Sequence, residues 1–172
     1  MSNPRSPRTR LERFGGDDTA MVAVEFAMIS PFFIALVLIT LMTCVIYMAR
    51  SQLDAATQAG ARAVMVGTAT NSTQLQSAIC GAVGGFFTCS NMMINLNTYA
   101  NLGSMDASAP TVNYDGSGGV TNNWGASFGA SGSILVLQVM YQFPMIGTNL
   151  FNLATQANGT DLLISTAVFI HE

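Results

Sequence analysis

Lysine is absent from the 172 residues, and the six cationic side chains are all arginine. Charge of either sign is scarce: charged residues make up 9% of the chain, where a soluble domain carries about 25%. Half the residues are hydrophobic, the formal net charge is −3 and mean hydropathy is +0.42. That balance excludes a disordered acidic or basic protein and counts against an ordinary cytosolic enzyme. There is one histidine, His171, beside the C-terminus, and one tryptophan, Trp124. No two carboxylates fall in a motif that would make a general acid–base pair, so no catalytic residue, metal or cofactor is expected. Beyond Arg13 the only cations are Arg50 and Arg62. No basic patch remains to bind nucleic acid.

What charge there is sits at one end. Arg5, Arg8, Arg10 and Arg13 stand against Glu12, and Ala27 to Ala49 then carries no charge at all. A helix needs about 20 apolar residues to cross the ~30 Å hydrocarbon core, so this run is long enough to span a membrane lipid bilayer. The basic flank precedes it. The positive-inside rule then keeps the N-terminus in the cytoplasm and sends residues 50–172 across. A cleaved secretory signal has an apolar core of about 7–15 residues and a small-residue cut site. The run here is longer and continues as a helical pattern, which favours an uncleaved span.

Residues 50–66 carry that pattern out of the membrane. Ala55, Ala59 and Ala63 recur every fourth residue, and Leu53, Ala56 and Gly60 form a second seam beside them. Small residues on a helix face let backbones approach closely. Arg50 and Asp54 are spaced to pair along the helix, worth a few tenths of a kcal/mol. Span and extension together predict one helix of roughly 45 residues, ~65 Å long at 1.5 Å per residue. Such a helix requires partner helices. Gly67 and the polar run after it end the helix.

A short second helix is expected from Thr73 to about Gly84-Gly85, and a strand over Met92–Tyr99. Residues 103–133 are rich in Gly, Ser and Asn and read as a long loop or irregular hairpin, with Asp115-Gly116 as a turn signal. Ser133–Phe143 is the clearest strand, with Leu135, Leu137, Val139 and Tyr141 on one side and Pro144 ending it. Leu162–Ile170 is the last. The fold class is therefore α+β: a long N-terminal helix, then a small exported domain at 67–172 with an antiparallel sheet.

Cys80 and Cys89, beyond the span, are expected to form a disulfide closing a short loop in an oxidising compartment. Cys44, inside the apolar run, reads as a small buried hydrophobe. Asp115-Gly116-Ser117-Gly118-Gly119 has one carboxylate where calcium loops use several, and reads as a plain turn. Asn71-Ser72-Thr73 and Asn158-Gly159-Thr160 fit the glycosylation pattern, a short pattern met by chance. Trp124 is expected to tuck over a small core, and His171 to be an exposed end residue.

Glu25 is the unusual residue. It stands at the lip of the apolar run between Val24 and Phe26, where a carboxylate is costly unless paired. No Lys, Arg or His lies within four residues of it. An α-amino group made by cutting the chain just upstream would serve. The segment TAMVAVEFAMISPFF, with Glu25-Phe26 and Pro31, resembles the prepilin-like N-terminus of TadE-like proteins, the pseudopilins of tight-adherence (Tad, or Flp) pili. The extension resembles that family too, through Tyr47, Arg50, Leu53, Ala55, Ala56, Gly60, Ala61, Arg62 and Ala63. So do the closing strands and the terminal Glu172. The resemblance covers residues 20–67 and, less closely, 133–172.

The resemblance implies a non-enzymatic pilus-assembly protein of the bacterial inner membrane, with its C-terminal domain in the periplasm or on the fibre. A prepilin peptidase would remove residues 1–20, between Ala20 and Met21, which leaves Glu25 as the fifth mature residue. The family usually has Gly at the position of Ala20; a cut after Gly16 would break the spacing to Glu25. The new Met21 amine and the Glu25 carboxylate would set register between packed subunits, and Pro31 would loosen or kink the helix. Ala55, Ala56, Ala59, Gly60 and Ala63 would pack against other pilin and pseudopilin subunits. An inner-membrane assembly platform is the further implied partner. Two other readings stay open: a signal-anchored periplasmic domain whose 103–133 loop holds a ligand, and a pseudopilin of a secretion apparatus.

Overall fold

The computed structural model describes residues 18–104, 110–145, 154, 156 and 158–171. Most of the expected leader and part of the 103–133 loop lie outside them. Helix α1 runs Asp18–Met65 and carries Pro31 within it without a break. Helix α2 is Ser72–Ala82, and strands β1, β2 and β3 are Met93–Tyr99, Ile134–Pro144 and Thr160–Ile170. The chain divides into two compact units, residues 1–44 and 45–172.

In the first unit α1 is apolar on every side. Phe26, Phe32 and Phe33 are exposed, as are Met28, Ile34 and Leu36. A helix hydrophobic all round belongs in a membrane or among other helices, and α1 is long and apolar enough to cross one. The two threonines of its apolar run are satisfied locally. Thr40 Oγ1 donates to the Leu36 carbonyl at 2.8 Å, and Thr43 Oγ1 to that of Ile39 at 2.9 Å. That answers the requirement that polar groups in lipid find partners within the protein. Cys44 is a free thiol exposed on the helix rather than buried, because in this unit no protein covers the helix.

The second unit starts with the rest of α1. Here burial repeats every three to four residues: Ala49, Leu53, Ala56 and Thr57, Gly60 and Ala61, Val64. This is the stripe that a helix lays on a core. The end of α1 is set by Gly67. Its φ of 75° supplies the left-handed residue after the cap. Gly67 N donates to the Val64 carbonyl at 3.0 Å and Thr68 N to that of Ala63 at 2.9 Å, the paired bonds of a Schellman motif. At the start of α2, Asn71 Oδ1 accepts from Gln74 N at 2.9 Å, while Gln74 Oε1 accepts from Thr70 N at 2.8 Å. The first glycosylation-like triplet is thus a helix cap.

The sheet is antiparallel with order β1-β2-β3. Leu137 pairs with Leu96 on one side and Ala167 on the other. The expected inward set, Leu135, Leu137, Val139 and Tyr141, is buried. So are Val136, Gln138 and Met140 between them. Alternation fails because β2 is central and its second face is covered too. Asn95 Nδ2 donates to Gln138 Oε1 at 3.0 Å, and Gln142 Nε2 to the Gly118 carbonyl at 2.8 Å. The glycine-rich segment therefore comes back onto the hairpin of β2 and β3.

Cys80 and Cys89 form a disulfide, with Cα atoms 5.8 Å apart. It joins the last turn of α2 to the 3-10 turn Cys89–Asn91 that leads into β1. The loop it closes lays Phe87 edge-on against Tyr141, with ring centroids 4.9 Å apart. Arg50 pairs with Asp161 of β3 at 3.8 Å and not with the expected Asp54. The helix face that meets the sheet brings Arg50 to the start of β3, a partner no local spacing reveals.

Candidate functional site

Two parts of the chain hold the residues singled out above. The first is the start of α1. Met21 and Glu25 are one turn apart on the helix and both exposed; Phe26 and Pro31 are exposed as well. Ala20 is helical, and the residues before Asp18 lie outside the described ones. Chemically the helix from Met21 to Ala49 offers one carboxylate, Glu25, on an apolar rod. It can bind a cation or accept hydrogen bonds, and nothing on its own helix neutralises it.

The second is the small-residue seam, which the fold divides. Ala56 and Gly60 are buried within the second unit. A Cβ on Gly60 would lie 2.6 Å from Ile79 Cγ1 and 3.4 Å from Leu137 Cδ2. The glycine is there so that α1, α2 and β2 can meet closely. Ala55 is exposed, and Ala59 and Ala63 are half-buried. That side of the helix remains open to another molecule.

Among the described residues there is no group of His, Cys, Asp and Glu that could hold a metal ion. The Asp115 turn explains itself. Its Oδ1 accepts from Ser117 N at 2.9 Å, Ser117 Oγ at 2.7 Å and Gly119 N at 2.7 Å. The Ser117 hydroxyl, followed by the Gly119 and Ser117 amides, holds this carboxyl below the usual carboxylate range. Burial, and then the nearby Asp161 charge, push the Tyr114 phenol up. The Gly118 carbonyl accepts from both Gln142 and Asn158, and Asn158 Oδ1 accepts from Thr160 Oγ1 at 2.6 Å. The second glycosylation-like triplet thus anchors the turn. His171 is half-buried, not exposed: its N–H donates to Ser133 O at 2.9 Å and its carbonyl accepts from Gly132 N at 2.7 Å.

Trp124 is half-buried on the segment that runs beside β1. Sequence reasoning marked the residue but missed what surrounds it, since its neighbours come from α2 and β1. Comparison with curated proteins finds no match, and neither does comparison with solved structures. Residues 20–62 match the family model described as TadE-like protein, so α1 is similar to that family from Ala20 to Arg62.

Proposed function

We propose that the chain is a pseudopilin or minor pilin of a bacterial Tad-type pilus, a structural subunit and not an enzyme. The observation that carries this reading is the coincidence of the family match over residues 20–62 with a helix whose stretch from Met21 to Cys44 is apolar except at Glu25 and has none of its large apolar side chains buried. In this reading a prepilin peptidase cuts between Ala20 and Met21, residues 1–20 are lost, and the chain is held in the inner membrane with its C-terminal unit in the periplasm. The Met21 amine of one subunit then meets the Glu25 carboxylate of a neighbour. In hydrocarbon each charge alone is costly and the pair is far less so. Assembly contacts to other pilins and to a membrane platform use the exposed apolar helix and the Ala55 side of the extension.

Mass spectrometry of protein from piliated cells tests this. The expected mature chain starts at Met21, and a full-length chain would overturn the assignment in favour of a signal-anchored periplasmic domain. Glu25→Gln is expected to insert normally, because the span becomes more apolar, and to reduce piliation. Normal piliation with Glu25→Leu would show that the charge is only a hydrated edge residue.

A further inference from the structure

The glycine-rich segment holds the only indole of the chain beside a cavity that the pilin reading leaves unused. The cavity measures about 460 Å³ and lies among the first turn of α2, the start of β1 and residues 122–126. That volume falls within the ~300–1,000 Å³ of ordinary ligand sites. Leu75 and Met92 are buried apolar residues in its wall, and Ser72, Gln76, Asn123 and Trp124 bring polar or aromatic groups to it.

Trp124 is held in place from both sides. Leu96 N donates to the Gly125 carbonyl at 2.9 Å, and Ser127 N to that of Leu96 at 2.8 Å. On the other flank the Asn122 side chain accepts from Asn113 N at 2.6 Å and donates to the Thr111 carbonyl at 3.0 Å. The chain on both sides of Trp124 is therefore held before any ligand arrives, which cuts the ordering cost of binding. Its Nε1 is buried and has no hydrogen-bond acceptor among the described residues. The side chains of Ser72, Gln76 and Asn123 are exposed and have no protein partner among the described residues.

Among the described residues no charged one lines the cavity. A phosphate, nucleotide or carboxylate would meet no opposite charge there. An acyl chain would face free amides and a hydroxyl and leave them unpaired. A ring that is apolar on one face and edged with hydroxyls satisfies both parts. Its C–H face suits an aromatic surface, and its hydroxyls suit amides that donate and accept. We propose that this cavity binds a neutral carbohydrate, with a pyranose against Trp124 and its hydroxyls on Gln76, Asn123 and Ser72.

Trp124 is the only tryptophan, so its emission reports the site directly. The full chain is purified in a polyoxyethylene detergent, which has no sugar headgroup, and titrated with cellobiose, lactose and N,N′-diacetylchitobiose, with AMP as the anionic control. A saturable change with at least one disaccharide and none with AMP is expected. Asn123→Ala and Gln76→Ala each weaken that binding about two- to tenfold, the range for one neutral hydrogen bond. Their unfolding midpoints stay unchanged, since both side chains are exposed. Calorimetry shows binding lost in Trp124→Ala and retained, though weaker, in Trp124→Phe. The proposal is overturned if no disaccharide gives a saturable change, if binding survives Trp124→Ala, or if AMP binds as well as the sugars.

Discussion

Gly60→Ala is a small change with a predictable sign. The added methyl would sit 2.6 Å from Ile79 Cγ1 and 3.1 Å from Ile79 Cδ1. Carbon atoms in contact prefer about 3.5–4.0 Å, so roughly 1 Å must be absorbed by Ile79, which is itself fully buried. Overpacking of this kind costs about 1–3 kcal/mol. Replacing a helical glycine returns up to about 1 kcal/mol through helix propensity. The net expectation is a loss of about 0–3 kcal/mol. Gly81, in the last turn of α2, has nothing within 4 Å of its added methyl. There only the propensity gain acts, and Gly81→Ala is expected to stabilise by a few tenths of a kcal/mol up to about 1. Urea unfolding followed by Trp124 emission measures both. Ile79→Ala in the Gly60→Ala background should show a favourable coupling, because it removes the colliding atoms. If Gly60→Ala proves more stable than Gly81→Ala, the close approach of α1 and α2 is refuted.

The disulfide and the Asp115 turn make two further predictions. Replacing Cys80 and Cys89 with Ser should lower stability by roughly 2–5 kcal/mol, and alkylation of the native protein without reductant should label Cys44 alone; labelling of all three would exclude the bond. Asp115 has its carboxyl pKa lowered by folding, so its contribution is fully present above its unfolded value near 4 and disappears as pH falls through the folded one. The difference in unfolding midpoint between wild type and Asp115→Ala should be constant above about pH 5 and shrink below pH 4; a difference that grows on acidification would contradict the turn's hydrogen bonds.

What could be read from the sequence was whatever repeats or sits in order. The uncharged run, the Glu25-Phe26 and Pro31 spacing and the pattern of β2 each lie within a few residues of one another, and the helix and strands fall where that order puts them. Residues whose meaning depends on distant partners were not legible. Arg50 has Asp54 one turn away on its own helix but pairs with Asp161. Val136 and Met140 read as the outer face of a half-buried strand, yet both are fully buried in the folded unit. Trp124 stands in a segment with no period, and its surroundings come from Gln76 and Met92.

The helix seam shows the same limit with a functional consequence. Alanine and glycine at helical spacing say that something approaches closely; they do not say whether it is the chain itself or another molecule. Here Ala56 and Gly60 are used within the chain, by Ile79 and the sheet. Each helix residue turns about 100° from the last, which leaves Ala55 exposed and Ala59 half-buried at the edge of this contact. Substituting a seam residue blindly would therefore confuse two effects: a larger side chain at Gly60 disturbs the fold, whereas one at exposed Ala55 leaves the core intact. In the pilin reading, contacts between subunits along the extension fall to the Ala55 side. The described stretch from Met21 to Cys44 has no such division, because none of its large apolar side chains is buried. That is the arrangement a subunit needs if its first half packs only on others and its second half must fold alone.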